Sequence, residues 1–190
     1  HFHLSLQSGC DETLKRMNRH YTCEEYLERC QILRDCFSNP AITTDVIVGF
    51  PGETEEEFEQ TQEFLKTVHF YEMHVFKYSR RAGTRADRMP DQIPEPVKTK
   101  RSAALLKLEA EMSKEYRASF LGKQAELLLE EPAVIGGHTY MIGHTKEYVK
   151  GAVPIKEGEA AGLKNTFYTG TLKNFLTDEI IFLAESKKLG

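Results

Sequence analysis

The sequence lacks a long hydrophobic run. No stretch approaches the about 18 apolar residues that a membrane-spanning helix needs. The N-terminus has neither the basic nor the apolar region of a signal peptide. We therefore expect a cytoplasmic protein with no membrane partner.

Cysteine is scarce and follows no metal-binding pattern. The four cysteines, at positions 10, 23, 30 and 36, are spaced C-x12-C-x6-C-x5-C, which matches no zinc or iron–sulfur motif. We expect Cys30 and Cys36, on a predicted helix, to be small buried apolar side chains. Free thiols favour a reducing cytoplasm.

Positive charge is also lacking overall. The net charge of −4 gives no global support for nucleic-acid binding, so contact with RNA would depend on local clusters. One such cluster contains five cations and one acid within twelve residues: Lys77, Arg80, Arg81, Arg85 and Arg88, with Asp87. On a loop beside an active site these cations would hold phosphates. The alternative is an ordinary solvated run of charge.

Histidine shows no metal-ligand spacing. Five histidines fall in the first 74 residues without a common interval: His1, His3, His20, His69 and His74. We therefore predict no metal ligands from the sequence.

Strands and helices alternate through residue 121. Three strands are predicted, each followed by a helix: His1–Gln7, Thr43–Val48 and Glu72–Tyr78. Capping boxes at Thr22 and Thr54, each with glutamate three residues later, mark two helix starts. The last helix is predicted over Val97–Phe120. This order predicts parallel strands joined by right-handed crossovers, as in part of a TIM-type (β/α) barrel.

The pattern changes after residue 121. Five short strands with glycine between them are predicted: Gln124–Glu130, Thr139–His144, Tyr148–Ile155, Phe167–Leu176 and Glu179–Glu185. Five strands without a convincing helix predict a small all-β barrel of the OB-like type. The domain boundaries are thus 1–121 and 122–190.

The candidate site lies at the carboxyl ends of the parallel strands, where α/β barrels carry their chemistry. His3, Ser5 and Gln7 give the first strand a polar face, and Asp45 lies among apolar residues of the second strand. A polar lumen indicates an opened barrel that holds a cofactor. The alternative is that these side chains pair with one another and only fix strand register. The glycine turn at 49–52 is a weak sign of phosphate binding.

Four blocks carry a family resemblance. HLSLQSGC, KRMNRHYTCEEY, AITTDVIVGFPGETEEEF and HVFKYSRRAGTRA resemble, in order and spacing, the radical S-adenosylmethionine (SAM) methylthiotransferases. The forms RMNRHYT and AITTDVIVGFPGE look most like the members that act on threonylcarbamoyladenosine in tRNA. The C-terminal strands resemble a TRAM-type β-barrel, so the likeness covers nearly the whole chain.

The resemblance implies an activity and a set of site residues. It implies that SAM and [4Fe–4S] clusters add a methylthio group to C2 of N6-threonylcarbamoyladenosine beside the anticodon. By motif, His3, Gln7, Ser8 and Arg19 would bind the cofactor, and Asp45 would act as a catalytic and cofactor-binding acid. The residues that would contact RNA are Arg80, Arg81, Arg85, Lys146 and Lys150.

One departure from the family is large. The CxxxCxxC loop that holds the radical cluster is absent from this sequence. The chain therefore looks like the second half of the radical domain plus the TRAM domain, with cluster ligands outside it, and we predict that it is inactive alone. Alternatives are the isopentenyladenosine tRNA enzyme, the ribosomal-protein enzyme and a non-catalytic RNA-binding module. A further alternative is an interaction fragment that dimerises through its exposed sheet edge, so the oligomeric state is left open.

Overall fold

The computed structural model describes residues 1–156 and 158–189. The chain divides into two compact units, one formed by residues 2–113 and the other by the chain from Lys114 onward together with His1. No helix in the described part of the chain has both the length and the apolar character needed to cross a membrane.

The first unit is built on a parallel three-stranded sheet. Its strands, in spatial order, are β1 (Phe2–His3), β2 (Ile42–Val48) and β3 (Glu72–Lys77). The mixed α/β arrangement with parallel strands fits a partial TIM-like fold, as predicted. The first strand is shorter than predicted because the Leu6 amide donates to the Thr44 hydroxyl (2.9 Å) rather than to a backbone carbonyl. Pairing resumes at a bridge between Gln7 and Val46.

Four helices accompany this sheet: α1 (Asp11–Arg16), α2 (Cys23–Cys36), α3 (Glu55–Val68) and α4 (Glu95–Ala118). Both predicted capping boxes are present, with Thr22 capping α2 and Thr54 capping α3. In each box the glutamate three residues on accepts from the cap backbone amide. These caps explain why the two helices begin where they do.

The core of the first unit lies where the apolar faces of the helices meet the sheet. Its fully buried members include Leu6, Val46, Leu65, Phe70 and Leu105. Cys30 belongs to this core as predicted, but the prediction for Cys36 is wrong, because Cys36 is exposed. Six helical residues turn the direction by about 240°, which carries Cys36 away from the face that buries Cys30.

The second unit contains a closed five-stranded barrel. Its strands are β4 (Gln124–Ile135), β5 (His138–His144), β6 (Lys150–Pro154), β7 (Phe167–Phe175) and β8 (Ile180–Lys188). The order is β4-β5-β6-β8-β7, and β7 pairs back onto β4. Every pair is antiparallel except β6 with β8. Closure leaves no strand with an unpaired edge. That this barrel is of the TRAM type stays a prediction.

Candidate active site

The segment that follows β1 is held by tyrosine hydroxyls. Tyr26, in the first turn of α2, donates to the Leu4 carbonyl at 2.6 Å, and Tyr21 donates to the Leu6 carbonyl at 2.8 Å. Burial raises the pKa of Tyr26, so its hydroxyl stays protonated and remains a donor. These side chains satisfy carbonyls that would otherwise lack a ladder partner, and they fix the segment that carries Ser5 and Gln7.

A polar cluster lies on one face of the sheet. Asp45 on β2 accepts a hydrogen bond from the Ser5 hydroxyl (2.9 Å), and its carboxylate lies 3.2 Å from His3 Nε2. His3 Nδ1 lies 3.0 Å from the Thr43 hydroxyl. The pairing described by the register alternative is therefore present. The Asp45 side chain nevertheless keeps 27% of its surface exposed, so it can also receive a ligand.

A cavity of about 730 Å³ opens beside this cluster. Residues from the ends of β2 and β3 and from the loops line it: Gln7, Arg19, Asp45, Ile47, Phe50, Phe76, Lys77, Tyr78, Ser79, Arg81, Thr84 and Ala86. Its volume is in the range typical of small-molecule and cofactor sites, and it combines an apolar wall with a few polar groups. The structure thus brings Gln7, Arg19, Asp45 and Arg81 around one cavity.

The cations of the cavity differ in how they are paired. Lys77 forms an ion pair with Glu95 at 2.6 Å, which lowers the pKa of that carboxyl. Within the described residues no carboxylate forms an ion pair with Arg19 or Arg81. Both guanidinium groups therefore remain available to an anionic ligand, for which the planar fork of arginine is well suited.

The glycine turn at the carboxyl end of β2 is already satisfied internally. The Gly49 amide donates to the Glu53 carboxylate at 2.6 Å, and Arg101 donates to the same carboxylate at 2.6 Å. Burial raises the pKa of Glu53, and the Gly49 amide and Arg101 offset only part of that effect. Gly49 has φ +72° and no room for a Cβ against Lys98, which explains the glycine. A phosphate would have to displace Glu53 to reach this amide.

Ser8 does not line the cavity. Its side chain is completely buried, accepts a hydrogen bond from the Cys10 amide (3.3 Å) and lies 3.3 Å from the Thr61 hydroxyl. The positive φ of Gln7 (+74°) breaks the strand alternation just before it. Gln7 and Ser8 therefore point to different surroundings although they are adjacent in the predicted motif.

The other predicted RNA-binding cations are spread over both units. Arg80 forms an ion pair with Asp87 at 3.0 Å, and Arg85 is exposed before a short 3-10 helix, Ala86–Arg88. Lys146 and Lys150 belong to the second unit, where they lie 3.7 Å from Glu147 and 3.5 Å from Glu179. Of the five predicted residues, only Arg81 lines the cavity.

Several residues of the site were not predicted from the sequence. Ile47 and Phe76 line the cavity, and His74 pairs in register with Asp45. Strand alternation was the signal that would have found them, because Ile47 lies two residues after Asp45, and Phe76 lies two after His74. The Glu53–Arg101 pair joins residues 48 positions apart and gives no local signal.

Comparison with known proteins gives consistent matches. The family model described as the radical SAM superfamily matches residues 1–65. The threonylcarbamoyladenosine tRNA methylthiotransferase of Bacillus subtilis (strain 168) is 44% identical over 151 residues, which is 79% of this chain and 34% of that protein.

Two further relatives carry a different name. The tRNA-2-methylthio-N(6)-dimethylallyladenosine synthases of Caldicellulosiruptor saccharolyticus and Thermoanaerobacter sp. (strain X514) are 46% and 47% identical over 130 residues. Each alignment covers 68% of this chain and 28% of the relative. The chain thus spans about a third of the length of the curated relatives it matches.

Proposed function

The chain belongs to the radical SAM methylthiotransferases, and from this premise we propose that it is part of a cytoplasmic enzyme that modifies tRNA. We propose threonylcarbamoyladenosine beside the anticodon as the substrate and C2 of its adenine as the position that receives the methylthio group. The observation that carries the proposal is the cavity that joins Asp45 to the unpaired Arg19 and Arg81.

The residues of the cavity fit SAM. The cofactor has a carboxylate, an ammonium group and an adenine ring, and the cavity offers arginines, one carboxylate and aromatic side chains. Arg19 would bind the cofactor carboxylate, Asp45 the ammonium group or a ribose hydroxyl, and Phe76 the apolar ring face. SAM, with a [4Fe–4S] cluster, supplies the radical chemistry in this family.

The cysteines of this chain do not fit a cluster. Cys10 is buried and donates to Gln60, while Cys30 is in the apolar core. No cysteine lines the cavity. We therefore propose that the cluster ligands come from outside this chain and that the chain alone is inactive. Anaerobic reconstitution with iron and sulfide is expected to give no stoichiometric cluster absorbance, and a stoichiometric cluster would contradict this.

The side chains of the cavity would orient substrate and cofactor and exclude water. Asp45 is itself positioned by Ser5 and His3, so its carboxylate has a fixed direction for a hydrogen bond to a ligand. Phe50, Phe76 and Tyr78 form the apolar wall against which a base or a ribose can pack. Arg81 and Arg85 would contact phosphates of the tRNA.

The charge of the cavity supports a substrate that ends in a carboxylate. The threonylcarbamoyl group carries one, whereas the dimethylallyl group is wholly apolar. Arg81 lines the cavity, no carboxylate among the described residues pairs with it, and burying an apolar group beside it would leave that cation without a partner.

The test uses the complete enzyme that contains this chain. It is incubated with tRNA carrying either threonylcarbamoyladenosine or dimethylallyladenosine, and with the ribosomal protein, and the products are identified by mass spectrometry. Methylthiolation of the first tRNA alone is expected. Modification of the second tRNA or of the ribosomal protein instead would overturn the substrate proposed here.

A variant of the same enzyme tests the site. We expect Asp45→Asn to lower kcat by about 10²–10³-fold, as loss of one well-placed polar group does in other enzymes. Asp91→Asn, at an exposed loop position with φ +57° that asparagine tolerates, is the matched control and should keep full activity. Normal cofactor cleavage and tRNA modification by Asp45→Asn would remove Asp45 from the mechanism.

A non-catalytic RNA-binding module is the second candidate. It is favoured only by the exposed cations, of which Lys146 keeps 89% of its side-chain surface exposed. Titration of the chain with tRNA over a salt series distinguishes the two candidates, because phosphate contacts weaken steeply with salt. Tight, salt-sensitive binding that survives Asp45→Asn, with no modification by the complete enzyme, would favour the module.

A further inference from the structure

Three potential metal ligands meet on the face of the parallel sheet. His3, Asp45 and His74 come from β1, β2 and β3, and each offers one ligand atom within 4.8 Å of the other two. Asp45 and His74 are direct partners in the strand register. His3 reaches Asp45 from the other side, with its Nε2 3.2 Å from the carboxylate. The three residues are brought together by the strand order, so no spacing in the sequence predicts the cluster.

The distances suit a single ion. Zinc lies about 2.0–2.1 Å from histidine nitrogen and carboxylate oxygen, so tetrahedral ligand atoms are about 3.4 Å apart. The His3–Asp45 separation of 3.2 Å is already close to that value. His74 is exposed, so a rotation of its ring brings the third ligand into place without moving the backbone.

Groups behind the cluster orient two of the three ligands. The Thr43 hydroxyl lies 3.0 Å from His3 Nδ1, so Nδ1–H can donate to it while the Nε2 lone pair faces the ion. The Ser5 hydroxyl donates to Asp45 at 2.9 Å. Metal-binding histidines in proteins usually have such a partner on the second ring nitrogen, because it fixes tautomer and ring orientation.

The His74 side chain distinguishes a metal site from a set of hydrogen bonds that only fixes strand register. The backbone pairing of the strands and the side-chain contacts among His3, Ser5 and Asp45 do not involve the His74 side chain. The His74 side chain makes no hydrogen bond to any residue that the structure describes, and its ring lies 5.9 Å from that of His3, centroid to centroid. The His74 imidazole beside the His3–Asp45 pair therefore adds a third potential ligand, but it contributes nothing to strand register.

We propose that His3, Asp45 and His74 bind one divalent transition-metal ion of the zinc or iron(II) class. Two imidazoles and one carboxylate suit these ions, whereas magnesium and calcium prefer oxygen ligands only. The His3 side chain is 38% exposed, so the remaining coordination positions face open space and can take water or another ligand. The site shares Asp45 with the proposed cofactor site, so the metal ion and the cofactor would compete for that carboxylate.

The test is a direct titration of the chain with Zn²⁺, without cofactor or tRNA. Isothermal calorimetry is expected to show one site, and Co²⁺ in its place should give the visible absorption of a nitrogen–oxygen site. His74→Ala removes a ligand, so it should lower zinc affinity by at least about 100-fold. This is the upper end of the loss seen when a residue that only orients a ligand is changed. Unfolding followed by circular dichroism checks that the variant folds.

Exposed histidines outside the cluster provide the matched controls. His20→Ala and His138→Ala should leave zinc affinity unchanged. Thr43→Val keeps the shape of the side chain but removes the partner of His3, and it should weaken zinc by about 10-fold. Zinc should also raise the Tm of the wild-type chain and not that of His74→Ala. Absence of one-to-one binding, or equal loss in His20→Ala and His74→Ala, would overturn the proposal.

Discussion

The open parallel sheet and the closed barrel are stabilised in different ways. In the open-sheet unit, Arg101 and Glu53 form an ion pair whose side chains are 5% and 1% exposed. The closed-barrel unit has ion pairs at the surface, such as Lys114 with Asp178 at 58% and 86% exposure. A surface pair contributes little, whereas a buried charge that loses its partner is costly. The Arg101–Glu53 pair, in the unit with the candidate site, is therefore the one of these two whose loss should be costly.

The two units also differ in how their backbone polar groups are satisfied, and the candidate site lies in the unit with the open sheet. Every strand of the barrel has a paired strand on both sides, so the barrel presents no open sheet edge. The open sheet instead uses side chains, such as Tyr26 on the Leu4 carbonyl, to satisfy the backbone near its first strand. The same unit exposes Asp45 to a cavity. Chemistry and incomplete backbone pairing thus occur in one unit.

Removal of Arg101 should have the largest effect. Arg101→Met leaves Glu53 buried without its cation, so we expect the free energy of unfolding of the open-sheet unit to fall by about 3–5 kcal/mol. Hydrogen exchange, read separately in peptides from β2 and from β4, assigns the loss to one unit. Exchange in the barrel peptides serves as the internal control.

Two further variants make this test specific. Arg101→Met with Glu53→Gln should recover most of the loss, because the amide still accepts from the Gly49 amide without a buried charge. Arg80→Met, which removes an ion pair from a side chain that is 60% exposed, should cost about 0–1 kcal/mol. If Arg80→Met were as damaging as Arg101→Met, burial would not be what distinguishes the two units.

A methyl group in the wall of the barrel should have the next largest effect. A Cβ at Gly143 would lie 2.1 Å from the Leu128 carbonyl oxygen. A closed barrel has no free edge along which a strand can shift, so we expect Gly143→Ala to cost about 3 kcal/mol, at the upper end for overpacking. The measurement is urea unfolding monitored by hydrogen exchange in the β5 peptide.

Two glycines bracket that result. Gly162→Ala, with nothing within 4 Å of its Cβ, should be nearly neutral. Gly9→Ala, in the open-sheet unit, meets the Phe64 Cβ at 2.9 Å and the Thr61 Cα at 3.0 Å. These approaches are less close than the 2.1 Å at Gly143, so its cost should lie between the other two. A larger loss for Gly9→Ala than for Gly143→Ala would show that closure does not make the barrel more rigid.

A pH-dependent effect should be the smallest of the three. Burial alone would raise the pKa of Glu57, but the hydrogen bonds from Arg16 and the Thr54 amide outweigh it, and the pKa is lowered. A lowered folded-state pKa stabilises above the unfolded pKa of about 4.3, and this stabilisation is lost as the pH falls through the folded pKa. We expect Glu57→Gln to cost about 1.5 kcal/mol at pH 7.

The same variant should lose its effect in acid. Glutamine can still accept from the Thr54 amide, so the capping box survives and the change isolates the charge. The wild-type and Glu57→Gln curves should converge as the pH falls below 4, measured by thermal unfolding across pH. Glu59→Gln, at an exposed position of the same helix, is the control. A constant difference at every pH would rule out the Arg16 ion pair as its cause.

Much of the fold could be predicted because its signals are local. The capping boxes at Thr22 and Thr54 involve residues three positions apart, and strand alternation involves neighbours two apart. The early end of β1 could not be predicted, because the Thr44 hydroxyl that takes the Leu6 amide lies 38 positions away. Contacts across strands depend on register, which sequence patterns specify only loosely.

The site was predicted where a motif named it and missed where the fold assembled it. Gln7, Arg19, Asp45 and Arg81 came from motifs and surround one cavity. Their binding roles stay predictions. Ser8 came from the same motif, yet it is buried, because the positive φ of Gln7 breaks the strand alternation just before it. Backbone conformation at a single residue decides this, and no residue pattern reports it.

The carboxylate of Glu53 on the Gly49 amide has a consequence for competition. The two groups are four residues apart in one chain, so the carboxylate acts as a ligand tethered to its own site. Short flexible tethers correspond to effective concentrations in the millimolar range, and Arg101 holds this one still. A free anion at micromolar concentration would therefore not displace it. Glu53 thus occupies the anion-binding amide of the turn and excludes free phosphate from it. Binding of an anionic ligand is left to the arginines of the cavity.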